Sequence, residues 1–265
     1  MMKTESKLAL WVTTLGLQAV ALSSLHAVTL QMNDFGAGAD VGPSLQQATN
    51  SLGTGGSADL ATGVITTGTN NNSTYGLNSS SLVDVTSVAG ATGFTVEWVI
   101  SGISQNVGAI QSNDMFFGVT GNSSTATNGD PSLFNNSGNA IGIKLDVIGS
   151  VSSFFEVGSS STGAQQTTAL TTDSMEDGFT LSFTVNDDNT WSATSTGLSS
   201  EINTSGTLAH ATYAGIASNL GAYTSVQGNS IVYTVDSVKI STVPEPSSAA
   251  LLGLGAMALM FRRKK

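Results

Sequence analysis

The chain contains no cysteine in its 265 residues. For an exported protein this removes disulfide stapling, and in any compartment it removes thiolate nucleophiles and thiolate metal ligands. Positive charge is nearly as scarce. Eight Lys and Arg oppose 18 Asp and Glu, giving a net charge of −10. All the basic residues except Lys144 and Lys239 sit at the two ends, as Lys3, Lys7, Arg262, Arg263, Lys264 and Lys265. All the acidic residues except Glu5 and Glu245 lie between those ends. The middle of the chain is therefore more acidic than the total suggests, and it has no cations to replace phosphate counterions. That excludes nucleic acid and anionic lipid headgroups as partners. There are two histidines, His26 and His210, too few for a zinc site without cysteine. No Gly-x-Ser-x-Gly elbow accompanies His210, so a serine hydrolase triad is not indicated. Long apolar runs are absent except at the termini.

The N-terminus has the three parts of a secretory leader. Lys3 and Lys7 form a positive region, residues 8–20 an apolar one, and Leu25-His26-Ala27 a small-residue cleavage site that would start the mature chain at Val28, with Ala19-Val20-Ala21 a second match to the same pattern. At the other end, Pro244-Glu245-Pro246 is followed by an apolar run of about 15 residues, short of the roughly 17 to 25 that span a bilayer unless basic residues snorkel. Arg262 to Lys265 supply that flank, and the positive-inside rule leaves them in the cytoplasm with the preceding domain outside.

This order of motif, apolar helix and basic end resembles the PEP-CTERM sorting signal. It rests on Val243-Pro244-Glu245-Pro246-Ser247, the Ala/Leu/Gly helix and the terminal Arg-Arg-Lys-Lys. The resemblance implies an exosortase as partner, cutting near Pro244, Glu245 and Pro246. It also implies a Gram-negative host that makes exopolysaccharide or a biofilm matrix. The chain would be held transiently in the inner membrane and then delivered to the outer surface or extracellular matrix. Three segments follow: a leader at 1–27, a domain at 28–242 and a sorting tail at 243–265.

Within the domain the apolar period is two, as in strands. Phe179, Leu181, Phe183 and Val185 alternate with Thr180, Ser182 and Thr184, and Asn186-Asp187-Asp188-Asn189 supplies a turn. The chain then returns with Trp191, Ala193 and Ser195 on one face. Phe94, Val96, Trp98 and Ile100 form a second alternation, and Ile141, Ile143, Leu145 and Val147 a third. Tyr233 and Val235 share one parity, whereas Val238 and Ile240 share the other, which predicts a β-bulge near Asp236. Residues 36–80 and 158–172, rich in Gly, Ser, Thr and Asn, read as loops or weak strands. About ten strands in roughly 200 residues predict an all-β fold, an antiparallel two-sheet sandwich, with the leader helix and the apolar C-terminal helix outside it. The order of Gly93-Phe94-Thr95-Val96-Glu97-Trp98, Phe116-Phe117-Gly118-Val119, residues 141–146, the 179–191 hairpin and residues 233–240 resembles a concanavalin A-like (laminin G-type) jelly roll. That resemblance implies that the first and last strands pair.

Chemistry is sparse. Jelly-roll glycanases use paired carboxylates on one strand, but Glu97 stands alone, as does Asp146. Asp173, Glu176 and Asp177 cluster just before a strand. Glu97 and Glu156 are the candidate pair for a glycan hydrolase or lyase. Calcium, a hard cation that takes oxygen ligands, has candidates in Asp114, Asp130, Asp187 and Asp188, although turn chemistry uses the same residues. Trp98 and Tyr233 fall at core parity. Tyr223, between small residues, reads as a loop aromatic able to stack on sugar. The sequence thus predicts a non-enzymatic exported protein associated with polysaccharide. The alternatives are a jelly-roll glycan hydrolase or lyase, and a structural matrix protein glycosylated on its Ser/Thr-rich surface.

Overall fold

A computed structural model describes residues 26–35, 38–49, 56–68, 74–104, 114–120, 140–146, 151–156, 176–209, 211–227 and 231–245. The expected leader helix and apolar tail helix lie outside them. In chain order the strands are β1 (Thr29–Asp34), β2 (Leu45–Thr49), β3 (Ser57–Asp59), β4 (Val64–Thr66), β5 (Thr74–Ser79), β6 (Ala91–Ser104) and β7 (Asp114–Thr120). They continue as β8 (Ala140–Asp146), β9 (Val151–Glu156), β10 (Phe179–Asn186), β11 (Thr190–Thr196), β12 (Asn203–Thr207), β13 (Gly221–Gln227) and β14 (Val232–Pro244). A 3-10 turn at Val85–Ser87 and a short helix, α1 (Tyr213–Ala217), interrupt them.

The strands form two antiparallel sheets. The 8-stranded sheet runs β12-β11-β10-β6-β14-β4-β3, with β1 also on β14; the 6-stranded sheet runs β2-β5-β13-β7-β8-β9. The expected pairing of first and last strands is present as β1 on β14, from Thr29 opposite Ser241 to Asp34 opposite Ser237. The expected hairpin is β10–β11, with Val185 opposite Trp191. Its turn puts Asn189 at φ 64°, the left-handed conformation that asparagine tolerates.

The core lies between the sheets. Phe94, Val96, Trp98 and Ile100 of β6 face it, as do Phe179, Leu181, Phe183 and Val185 of β10. From the opposite sheet come Met115, Phe117 and Val119 of β7 and Ile141, Ile143 and Leu145 of β8. Phe117 ties the layers together. Its ring meets Trp98 at 6.0 Å, Phe179 at 6.2 Å and Tyr233 at 6.2 Å, all edge-on, the geometry that aromatic quadrupoles favour.

The predicted bulge is where the parity argument put it. The β14–β6 register shifts between Thr234 and Val235 and again between Val235 and Ser237. Asp236 is thereby expelled to solvent, and Tyr233, Val235, Val238 and Ile240 all reach the core. Strand β1 departs from the apolar-in rule. Gln31 and Asn33 are buried, while Leu30 and Met32 are only partly covered. The buried amides are satisfied: Gln31 donates to Asn33 Oδ1 at 2.8 Å and to the Pro43 carbonyl at 3.2 Å, and accepts from the Ser79 hydroxyl at 2.7 Å. Ser79 in turn accepts from the Ala222 amide at 2.8 Å. This chain of bonds joins the two sheets through polar groups, which buried polar residues require.

Candidate functional site

The Asp187 and Asp188 candidates lie in the β10–β11 turn, and Asp188 is committed to it. Its carboxylate accepts the Thr190 amide at 2.9 Å and the Thr190 hydroxyl at 2.6 Å. Those two bonds, the hydroxyl's first, hold its carboxyl below the ordinary aspartate range. Asn189 uses its side-chain oxygen to accept the Tyr213 amide at 2.8 Å, so the turn also starts α1. Asp114 opens β7, and Asp130 lies outside the described residues, as does His210. Among the described residues no group of three or more His, Asp or Glu is placed to hold a metal ion.

Glu97 and Glu156 are not brought together. Glu97 is exposed on the outer face of the larger sheet, opposite Ser182 and Lys239, whereas Glu156 ends β9 at the edge of the other sheet. Sheets stack about 10 Å apart, and Glu97 points away from the interface.

Tyr223 corrects a second expectation. It is in strand β13, opposite Asn78 and Gly118, and is buried at 1% exposure. It lies on the face of the smaller sheet turned away from the core, where Phe116 joins it at a ring distance of 6.0 Å. Gly118 and Gly142 stand opposite each other there, and a Cβ on either would meet the Phe116 ring, at 2.7 and 2.8 Å. The glycines let that ring lie down on the sheet. Asn78 completes the cluster with a buried side-chain oxygen that has no hydrogen-bond partner. Because the rings are buried, this is a second packed layer and not an open platform for sugar. Trp98 and Tyr233 are buried, as parity predicted, and so is Trp191.

The open surface is the outer face of the larger sheet. Thr95, Thr180, Ser182, Thr184, Ser192, Thr194, Thr196, Ser205 and Thr207 cover it with hydroxyls, because every outward position of β10 to β12 in register carries a small polar residue. Thr95 and Thr184 hydrogen bond across strands at 2.8 Å. At the end of this face, beside the bulge, lie two adjoining crevices. One, of about 420 Å³, is lined by Ser101, Gly102, Ile103, Ser104, Glu176, Val232 and Thr234. The other, of about 390 Å³, is lined by Ser101, Asp177, Thr180, Thr196, Gly197 and Asp236 among others.

Backbone geometry builds these crevices. Gly178 and Gly197 adopt φ of 89° and 93°, which only glycine holds without strain. A Cβ on Gly197 would meet the Gly178 carbonyl oxygen at 2.6 Å, and one on Gly102 the Glu176 carbonyl oxygen at 2.7 Å. Close backbone contact thus keeps the floor low, and the bulge turns Asp236 outward onto the rim. The result is three exposed carboxylates, Glu176, Asp177 and Asp236, among five hydroxyls, with no cation in the lining. Carboxylates accept strong hydrogen bonds from hydroxyl groups, and serine and threonine both donate and accept. The sequence showed the bulge and the Glu176–Asp177 cluster separately. Their meeting depends on the β14–β6 pairing.

The family described as the PEP-CTERM protein-sorting motif matches residues 242–264. The chain is thus a secreted protein with a C-terminal sorting signal, which implies exosortase-sorted export. No curated protein matches it in sequence. Solved structures match its fold. A lectin from Bauhinia forficata in complex with GalNAc superimposes with a TM-score of 0.56 at 10% identity, covering 83% of this chain and 99% of that one. Arcelin-5, a lectin-like defense protein from Phaseolus vulgaris, gives 0.54 at 10% identity with the same coverages of 83% and 99%. Lectin I-B4 from Griffonia simplicifolia in its metal-free form gives 0.52 at 11%, covering 75% and 93%. The sandwich is therefore a legume-lectin-like, concanavalin A-like jelly roll.

Proposed function

We propose that this is a non-enzymatic exported protein, sorted by an exosortase to the envelope or matrix of a Gram-negative bacterium, where it binds neutral polysaccharide. The observation that carries the binding reading is the paired crevice at the Asp236 bulge. There, exposed carboxylates and hydroxyls converge at the end of a hydroxyl-rich sheet face. Such a lining suits the hydroxyl pairs of sugar rings. Its three negative charges disfavour uronic or sulfated chains through like-charge repulsion. The lectin-like fold supports the same reading, since two of the matched structures are themselves lectins.

A glycan array carrying neutral and acidic polysaccharides tests this with the purified Val28–Glu245 domain. The expected result is retention on neutral glycans and none on uronic ones at low salt. Absence of retention on every neutral glycan, including the host's own exopolysaccharide, rejects the binding reading and leaves the export reading standing.

A further inference from the structure

The sorting motif does not begin after the sandwich; it begins inside it. Strand β14 runs through Pro244, with Val243 opposite Gly93 and Pro244 opposite Ala91 on β6. The Glu245 amide then donates to the Gly90 carbonyl at 2.8 Å. Gly90 is free to present that carbonyl because it turns at φ 74°, in the left-handed region. On the other flank, the Thr242 amide donates to the Val28 carbonyl at 2.9 Å, and the Val28 nitrogen donates to the Thr242 hydroxyl at 2.9 Å. Thr242 itself is buried. The first two residues of Pro244-Glu245-Pro246 are thus tied to the body of the domain, and the residue expected to open the mature chain holds the strand that leads into them.

A protease that acts on an extended segment must first free it from its own sheet. In a folded domain this happens by local opening, whose frequency falls with each bond and buried side chain that must be released. Release of Thr242 to Glu245 breaks pairing on both flanks of β14.

We infer that the folded sandwich withholds residues 242–245 from processing, so that the tail is cut C-terminal to Glu245 and Pro244 and Glu245 stay in the mature protein as the end of its last strand. The cut is a peptide hydrolysis: water gives its hydroxyl to the new carboxyl terminus and a proton to the released amine. The inference rests on the exosortase reading only for the identity of the protease. The protection itself is a property of the sheet.

Two measurements test it. In the first, the purified full chain is digested with a broad-specificity endoprotease, and the mass of the resistant core is determined. The core is expected to end at Glu245 or later; one ending at Pro244 or earlier overturns the inference. In the second, the chain is expressed in an exosortase-bearing host alongside T95C/S241C, which locks an opposed pair of β6 and β14 three residues before the motif. The released domain is expected to end at Glu245 or later in both, with processing rates within about twofold. Slowing by tenfold or more in the locked variant would mean that the strand peels back past Ser241, and would also overturn the inference. A tail that stays on in that host while the resistant core still ends at or beyond Glu245 speaks against exosortase sorting, not against the protection.

Discussion

Phe117 is the residue on which the two sheets most visibly converge, touching rings from β6, β10 and β14. Its replacement by alanine removes those contacts and leaves a cavity, for an expected loss of about 3 to 5 kcal/mol in chemical denaturation. Two tyrosines make a separate point about pH. Burial drives the Tyr233 hydroxyl well above the ordinary tyrosine range, and burial followed by the charges of Asp187 and Asp84 raises Tyr213. Each holds its proton in the folded state beyond the point, near pH 10, at which the unfolded chain gives it up. Their contribution is therefore complete below about pH 10 and declines as pH rises above it. A spectrophotometric tyrosine titration should show Tyr233 ionising only together with unfolding. Ionisation while the circular dichroism is still native would contradict its burial. The fates of Trp98 and Tyr233 were legible in the sequence because each shares parity with apolar neighbours, Val96 and Ile100 for the one and Val235 for the other. Tyr223 was not, because Gly221, Thr224 and Ser225 around it carry little apolar signal, although Ala222 and Val226 keep the inward parity.

Elements differ in how far sequence alone reveals them. Strands β6, β10 and β11 announce themselves by period, since one side faces a shared core and the other faces water, and β8 does so because its outward positions carry Gly142 and Lys144. Strands β2, β3 and β12 are short and polar, and β12 reads Asn-Thr-Ser-Gly-Thr with no apolar residue at all. Their place is decided by neighbours: β12 exists because β11 offers a complete ladder from Thr190 to Thr194. Strand β1 inverts the usual pattern, because Gln31 bonds across the sandwich to Ser79 and along its own strand to Asn33. The bulge in β14 is the element with the most consequence. Deleting Asp236 brings Tyr233, Val235, Val238 and Ile240 to one parity, so the strand can run straight with all four still in the core. The expected outcome is a retained cooperative transition, read by near-ultraviolet circular dichroism, whereas deleting Lys239 puts Val238 and Ile240 on opposite faces and is expected to weaken it.

At the scale of the molecule, three scarcities act together. Without cysteine, the sandwich is held by its core and by polar cross-links such as the Gln31–Ser79 bond. With little positive charge, its open face bears mainly hydroxyls and carboxylates, with Lys239 the cation opposite Glu97, a chemistry that suits uncharged polyols. Apolar runs are confined to the chain ends, where the sorting motif also lies. Export was legible because a sorting signal is a linear pattern. The crevice was not, because Ser101, Asp177, Thr196 and Asp236 come from four separate stretches that meet only through strand pairing. The most direct test of the account is calorimetric titration of the purified domain with a neutral polysaccharide retained on the array. It compares the native chain with D177N/D236N and with Glu97→Gln, which alters the same face away from the crevice. The account predicts at least a tenfold loss of affinity in the double variant and none in Glu97→Gln. Equal affinity in all three would contradict it.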